Sequence, residues 1–506
     1  MDYEKQPSRV EKSSINSYDD IAASSAEVES TKVHWINRFA HKLNAETKGI
    51  DIVSDDEKTD TSLWGVGTMW FSATCVIATF ALGALGITVF NLAFGQAVLV
   101  IIFFSAIGTF PVAFFSCFGP KLGLRQMILS RFFVGDLGTR IISFINVIAC
   151  VGWGAVNTMS SAQLLHIVNN GALPPWAGCL IIVVCTIIVT FFGYNVIHTY
   201  EKWSWIPSLV VFIVIIARFA MSGKFQSDPF VGGQTTAGGV LSFGGTVFGY
   251  ASGWTTYAAD YTVYQPRNVN HYKIFFGVFA GLFLPLCFAL ILGAACATGT
   301  LSDPSWKQAY DDNSIGGLIY AIIVQDSLHG FGQFCCVILA LTTVANNIPN
   351  MYSMSLSAQT VWSPLAKIPR VLWTIAGNGA TLAICIPAYY KFEAVMENFM
   401  NLISYYLGIY EAMMFSSHFI WHKGKFSAYD YERYNDKLAY PPGIAGTFGF
   451  CCGVAGVVLG MNQTWYAGVV GRKIGDFGGD IGFEMGFAFA FVGFNVARYF
   501  EKKFIR

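Results

Sequence analysis

The sequence predicts an all-α polytopic membrane protein with about twelve transmembrane helices. Three observations point there. Of 506 residues, 54% are hydrophobic and only 12% are charged, where a soluble domain carries about 25% charge. The charges are clustered, leaving long runs with none. Two of those runs carry glycines, hydroxyls and, in one, a tryptophan at mid-span, where lipid favours leucine. The clearest is Gly249-Tyr250-Ala251-Ser252-Gly253-Trp254-Thr255-Thr256-Tyr257. An unwound turn survives in hydrocarbon only where protein or a water-filled cavity satisfies its backbone. The stretch therefore reads as a broken helix beside a cavity, or as a small-residue face for a neighbouring helix.

Along the chain, residues 1–62 are rich in Ser, Asp and Glu and read as a disordered tail. Within it Trp35, Ile36, Phe39 and Leu43 recur at helical spacing beside Arg38 and Lys42, which suits a helix lying on a membrane surface. Hydrophobic spans follow near 64–90, 97–118, 141–168, 176–194, 203–221 and 241–261. The second set lies near 274–298, 331–359, 371–389, 396–421, 445–460 and 482–500. The stretch 315–324 is too short to cross and reads as an external lid helix. The domain reading is a tail (1–62), a ten-helix core (63–421), a loop (422–444), two added helices (445–500) and a short C-terminus (501–506).

Lys and Arg set the orientation. One set of loops holds Lys121, Arg125, Arg131, Arg140, Arg267, Lys273, Lys367, Lys423 and Arg433, among others. The opposite set holds few, such as Lys224, Lys307 and Lys391. The first set is expected in the cytoplasm with both termini. Zero net charge gives no sign of nucleic-acid affinity, and the 12 scattered cysteines form neither a disulfide framework nor a metal-ligand spacing. No cofactor motif or nucleophile–base pair is present, so an enzyme is not expected.

The first span carries its own glycine interruption, Gly83-Ala84-Leu85-Gly86, preceded by Thr79. Broken helices at positions one and six suggest two five-helix halves of opposite topology, with two helices appended. The third helix of each half should then flank the same cavity. The third span reads Gly152-Trp153-Gly154-Ala155-Val156-Asn157, and the eighth reads Asn346-Asn347-Ile348-Pro349-Asn350. Trp153 and Asn157 share one helix face, as do Asn346 and Asn350, and Pro349 frees a carbonyl of the preceding turn. For any single asparagine, a bond that glues two helices is the simpler reading. Two indoles and several amides at one depth, on the four helices that inverted-repeat symmetry selects, favour a ligand site. Those four spans have no Lys, Arg, Asp or Glu at mid-depth. An amide offers a donor and an acceptor side by side, and indole faces stack on flat rings. The expected ligand is a neutral, flat, hydrogen-bonding heterocycle.

Coupling points to Glu201 and Asp260, read as the acidic residues nearest the bundle. Glu201 is either a carboxylate favoured by a helix N-terminus or one that takes up and releases a proton. Asp260 caps an inner gate or anchors at the interface. Thr342 and Thr343 place hydroxyls on a cation or bond back within their helix.

On Gly152 to Asn157, Tyr200-Glu201-Lys202-Trp203-Ser204-Trp205-Ile206-Pro207, Trp254 to Tyr264 and Asn346 to Asn350, the chain resembles the nucleobase–cation symport-1 family, in its fungal purine–cytosine permease branch. The resemblance spans the membrane region, about 64–500. It implies a leucine-transporter-like five-plus-five inverted repeat plus two C-terminal helices. It also implies proton-driven import of cytosine and purine bases across the plasma membrane, with 5-fluorocytosine by the same route. By the same token Trp153 stacks on the base, Trp254 closes the other side, Asn157 with Asn346 or Asn347 bonds it, Thr79 lines the site and Glu201 is needed for function. Many members carry Arg after the Asp-Tyr-Thr of the sixth helix; Val263 stands here, which favours the purine–cytosine branch. The register at Thr342 and Thr343 differs by one from sodium-coupled relatives, which argues against a retained cation site. Rival readings are a same-fold symporter for uracil, allantoin, thiamine or an amino acid, a channel, and a nutrient receptor that does not transport.

Overall fold

The structure, a computed structural model, describes residues 49–191 and 194–505. The surface helix expected around Trp35 to Leu43 lies outside the described residues. Residues 49–62 lie against the bundle: Val53 is buried and its N–H donates to the Gly123 carbonyl (2.9 Å). The buried Lys58 ammonium donates to Asp55 (2.9 Å) and to the Pro120 carbonyl (3.0 Å). Burial lowers the Lys58 pKa from the ordinary lysine value, and Asp55 opposes that.

A helix stands at each of the twelve expected positions. The first is a pair, α1 (Leu63–Thr74) and α2 (Ile77–Thr88), bent by 54°. Then come α3 (Phe94–Ser116), α4 (Gln126–Val168), α5 (Pro175–Phe191) and α6 (Tyr194–Ser222). The sixth, α7 (Gln234–Ser252), continues as a tighter 3-10 segment, Gly253–Tyr261. It is followed by α8 (His271–Ser302), α9 (Pro304–Ile323), α10 (His329–Val361), α11 (Arg370–Ala388), α12 (Phe392–Phe415), α13 (Ile444–Gly460) and α14 (Gly482–Phe504). Among the described residues, six helical stretches are long and apolar enough to cross a membrane, seven if α1 and α2 count as one span; α5 and α13 are shorter apolar helices.

Exposed apolar side chains mark the lipid-facing surfaces. On α3 these include Leu99, Phe103 and Phe110, and on α6 Trp203, Ile206, Val210 and Ile213. The opposite faces carry the polar residues inward, since a hydroxyl or amide in hydrocarbon needs a partner. The lid segment expected at 315–324 is the inner half of α9. That helix bends at Asn313–Ser314, and Ile315, Leu318, Ile319 and Ile322 are buried against the bundle. Both ends of the site described next are set by α1/α2, α4, α7 and α10, which meet near the middle of the bundle.

Candidate functional site

The first helix is not broken at its glycines. Gly83 and Gly86 lie inside α2, where an added Cβ would stand 1.9 Å from the Leu290 carbonyl oxygen and 2.9 Å from the Phe243 ring. They are close-packing positions for α8 and α7. The break falls at Cys75–Val76, where Val76 is extended (φ −133°, ψ 164°). Two orphaned carbonyls find side chains: Thr79 donates to Thr74 (2.6 Å) and the Asn346 amide donates to Ala73 (2.5 Å), while the Thr74 hydroxyl bonds back to Trp70 inside α1 (2.8 Å). With its one hydrogen on Thr74, the Thr79 hydroxyl accepts from the Tyr250 hydroxyl of α7 (2.7 Å).

In the sixth helix the two glycines divide the labour. Gly249 lets α7 approach α12; a Cβ there would be 2.3 Å from the Met400 carbonyl oxygen. Gly253 marks the change from α to 3-10 winding, and a Cβ on it would lie 2.6 Å from the Trp153 ring. The Trp153 indole of α4 thus rests on the residue preceding Trp254. Tyr250 and Phe399 meet Trp153 edge-on at 5.2 and 5.6 Å between ring centroids. Trp254 is met edge-on by Trp70 (5.4 Å) and Tyr257 (5.5 Å). Both indoles are buried.

One turn beyond Trp153, Asn157 enters an amide cluster. Its Nδ2 donates to the Oδ1 of Asn346 (2.6 Å) and of Asn347 (3.0 Å). A backbone carbonyl fixes the direction of this chain. Ala73 can only accept, so Asn346 presents its nitrogen there and its oxygen to Asn157. That leaves the Asn157 Oδ1 buried with no partner among the described residues. Asn347 donates to Thr158 (3.3 Å) and Asn350 to the Cys150 carbonyl (2.7 Å), so Asn350 ties α10 to α4. The carbonyl of Pro349 itself accepts from the Tyr261 hydroxyl (2.7 Å).

Asp260 lies toward the Lys/Arg-rich end. Its Oδ1 accepts from the Gln126 N–H at the start of α4 (2.8 Å), a carboxylate placed where a helix N-terminus favours it. The Arg125 guanidinium donates to the Asp260 carbonyl (2.7 Å) and lies over the rings of Tyr264 and Tyr352. The 3-10 segment is thereby pinned to α4. Thr342 bonds back to Leu339 (2.6 Å), whereas Thr343 accepts from Ser161 of α4 (2.6 Å).

Glu201 is not at a helix N-terminus. Its helix begins at Tyr194, so the carboxylate lies two turns inside, which removes the dipole as its explanation. It is fully buried, neither carboxylate oxygen has a partner among the described residues, and its own carbonyl accepts from Ser72 of α1.

One acidic residue escaped the sequence reading. Glu411 of α12 is buried, and the hydroxyl of Thr255, next to Trp254, donates to its Oε1 (2.9 Å). The signal was available: an ionisable residue inside the span 396–421 is a functional candidate by default.

Residues 53–472 match the model of a family described as permease for cytosine/purines, uracil, thiamine, allantoin. The purine-cytosine permease FCY2 of Saccharomyces cerevisiae is 58% identical over 100% of this chain and 95% of its own length. The purine-cytosine permease fcyB of Emericella nidulans is 46% identical over 100% of this chain and 98% of its own. Among solved structures, Mhp1, a nucleobase-cation-symport-1 family transporter in a closed conformation with bromovinylhydantoin bound, superposes with a TM-score of 0.66 at 14% identity, covering 91% of this chain and 96% of that one. At that identity the likeness shows the leucine-transporter-like fold alone. The chain belongs to the family of permeases for cytosine/purines, uracil, thiamine and allantoin, in its fungal purine–cytosine branch, and is a multi-pass membrane transporter rather than an enzyme.

Proposed function

We propose that the chain is a proton-coupled symporter that imports cytosine and the purine bases adenine, guanine and hypoxanthine, with 5-fluorocytosine entering by the same route. The names of the relatives at 46 and 58% identity support the substrate class. The observation that carries the site is the unpartnered Asn157 Oδ1, one turn from the Trp153 indole and beside the break of the first helix. A buried acceptor without a donor is costly, and a ring N–H supplies that donor. The base stacks on Trp153, Trp254 closes the other side, and Asn157, Asn346 and Asn347 read its polar edge. Thr79, Pro349 and Asn350 hold the helices that frame it. No cofactor is required.

Alternating access then rocks the helix bundle against the scaffold around a fixed midplane site within the core 63–421, while 445–500 serves as an outer brace. The bonds from Asp260 to Gln126 and from Arg125 to the Asp260 carbonyl form the inner gate that must part. Glu201, buried without a partner against α1, takes up and releases the coupling proton. The Lys/Arg-rich loops and both termini face the cytoplasm, and the membrane is the plasma membrane.

The test is uptake of radiolabelled cytosine in a host lacking its own permeases, with and without an uncoupler. Saturable uptake that the uncoupler abolishes supports the reading. Uptake no higher than in the empty host refutes it. Competition by uracil, allantoin and thiamine separates the same-fold rivals. Glu201→Gln is expected to keep exchange of cytosine across the membrane but lose accumulation against a gradient; accumulation retained by Glu201→Gln and lost by Glu411→Gln moves the proton to α12.

A further inference from the structure

A recess of about 340 Å³ opens at the end of the bundle opposite the Lys/Arg-rich loops, between the end of α4, the bend of α9 and the start of α12. That volume lies within the roughly 300–1,000 Å³ of small-molecule pockets. Aromatic rings line part of it, Tyr310, Tyr389 and Tyr390 with His166 edge-on to Tyr389, and polar side chains line the rest. Two of its acidic residues are occupied, Asp311 by the Lys307 ammonium (2.6 Å) and Asp312 by the Gln308 amide (2.8 Å). Glu393 and Gln163 offer acceptors to a ligand. Glu393 contributes a half-buried carboxylate beside Tyr310. Gln163 of α4 is 3% exposed, lines the recess, and its Oε1 has no hydrogen-bond partner among the described residues.

The position on α4 gives the recess a meaning. Gln163 lies six residues past Asn157, about 9 Å at 1.5 Å per residue, toward the entry side in the reading above. Flat aromatic walls suit a planar ring. Carboxylate and amide acceptors suit the ring N–H and exocyclic amine that cytosine and adenine present. We propose that this recess is a second, entry-side binding site, where the heterocycle waits before it passes to the indole-and-amide site. The proposal rests on nucleobase import being the function.

The experiment is equilibrium binding of tritiated cytosine to the purified full-length protein in lipid vesicles. Wild type is expected to show two classes of site, one tight and one weak. Asn157→Ala is expected to lose the tight class and keep the weak. Gln163→Leu or Glu393→Gln is expected to weaken the weak class by about three- to tenfold, the worth of one hydrogen bond. The tight Kd should stay within about twofold, since sites this far apart act independently. Loss of an unpartnered amide oxygen should not impair folding. A single class abolished by Asn157→Ala overturns the second site and leaves nucleobase transport standing. A weak class indifferent to Gln163→Leu and Glu393→Gln overturns the recess as its location. No cytosine binding at all overturns both readings.

Discussion

The two interrupted helices reach the same place by different means. Between α1 and α2 two non-helical residues, neither of them glycine, leave carbonyls that Thr79 and Asn346 collect. In the sixth helix the chain tightens at Gly253 and leaves helical geometry at only one residue, Tyr257 (φ −140°, ψ 20°), before Tyr261. What Gly253 contributes is space for the Trp153 ring. A break in hydrocarbon is thus located by the side chains that satisfy it, whereas glycine marks where another element comes close. Gly83 and Gly249 are of the second kind.

The contrast can be broken most sharply at Asn346. Asn346→Ala strands the Ala73 carbonyl and one donor bond of Asn157. At about 1–3 kcal/mol for each stranded group, cytosine uptake should fall by at least about thirtyfold, with surface level unchanged. Near-normal uptake would mean that the first break does not depend on the amide. Next come the glycines. Gly253→Ala drives a methyl into the Trp153 indole at about 1–3 kcal/mol, so apparent affinity should drop about tenfold. Gly83→Ala meets the Leu290 backbone, so folded protein at the surface should fall while the surviving molecules keep their KM. A changed KM in Gly83→Ala would erase the distinction. Tyr250→Phe removes the one bond from α7 to Thr79 and should cost about 1 kcal/mol, a roughly fivefold rise in KM. Smallest of all, Thr342→Ala deletes only a bond back to its own helix and should leave uptake within about twofold, measured beside Thr343→Ala, which also loses Ser161.

Residue patterns made much of this legible. Charge-free runs located the helices, and the spacing of Trp153 to Asn157 and of Asn346 to Asn350 singled out residues that the fold brings to one place. Polar side chains at mid-span are visible in a sequence because hydrocarbon penalises them. The break at Cys75–Val76 was not legible, since it depends on Asn346 arriving from a distant helix. Glycine misled for the same reason: Gly83 looks like a weak point until Leu290 of α8 is seen against it. Glu201 looked terminal because apolar character begins at Trp203, yet the helix starts at Tyr194. Length of apolar run and length of helix are separate quantities, and only packing reveals the second.

The central claim is that a nucleobase N–H completes the amide cluster at Asn157. The most direct measurement is cytosine uptake by Asn157→Ala, with the protein quantified at the cell surface. The account predicts uptake lost with the transporter present in normal amount. Uptake that survives with unchanged apparent affinity would contradict it.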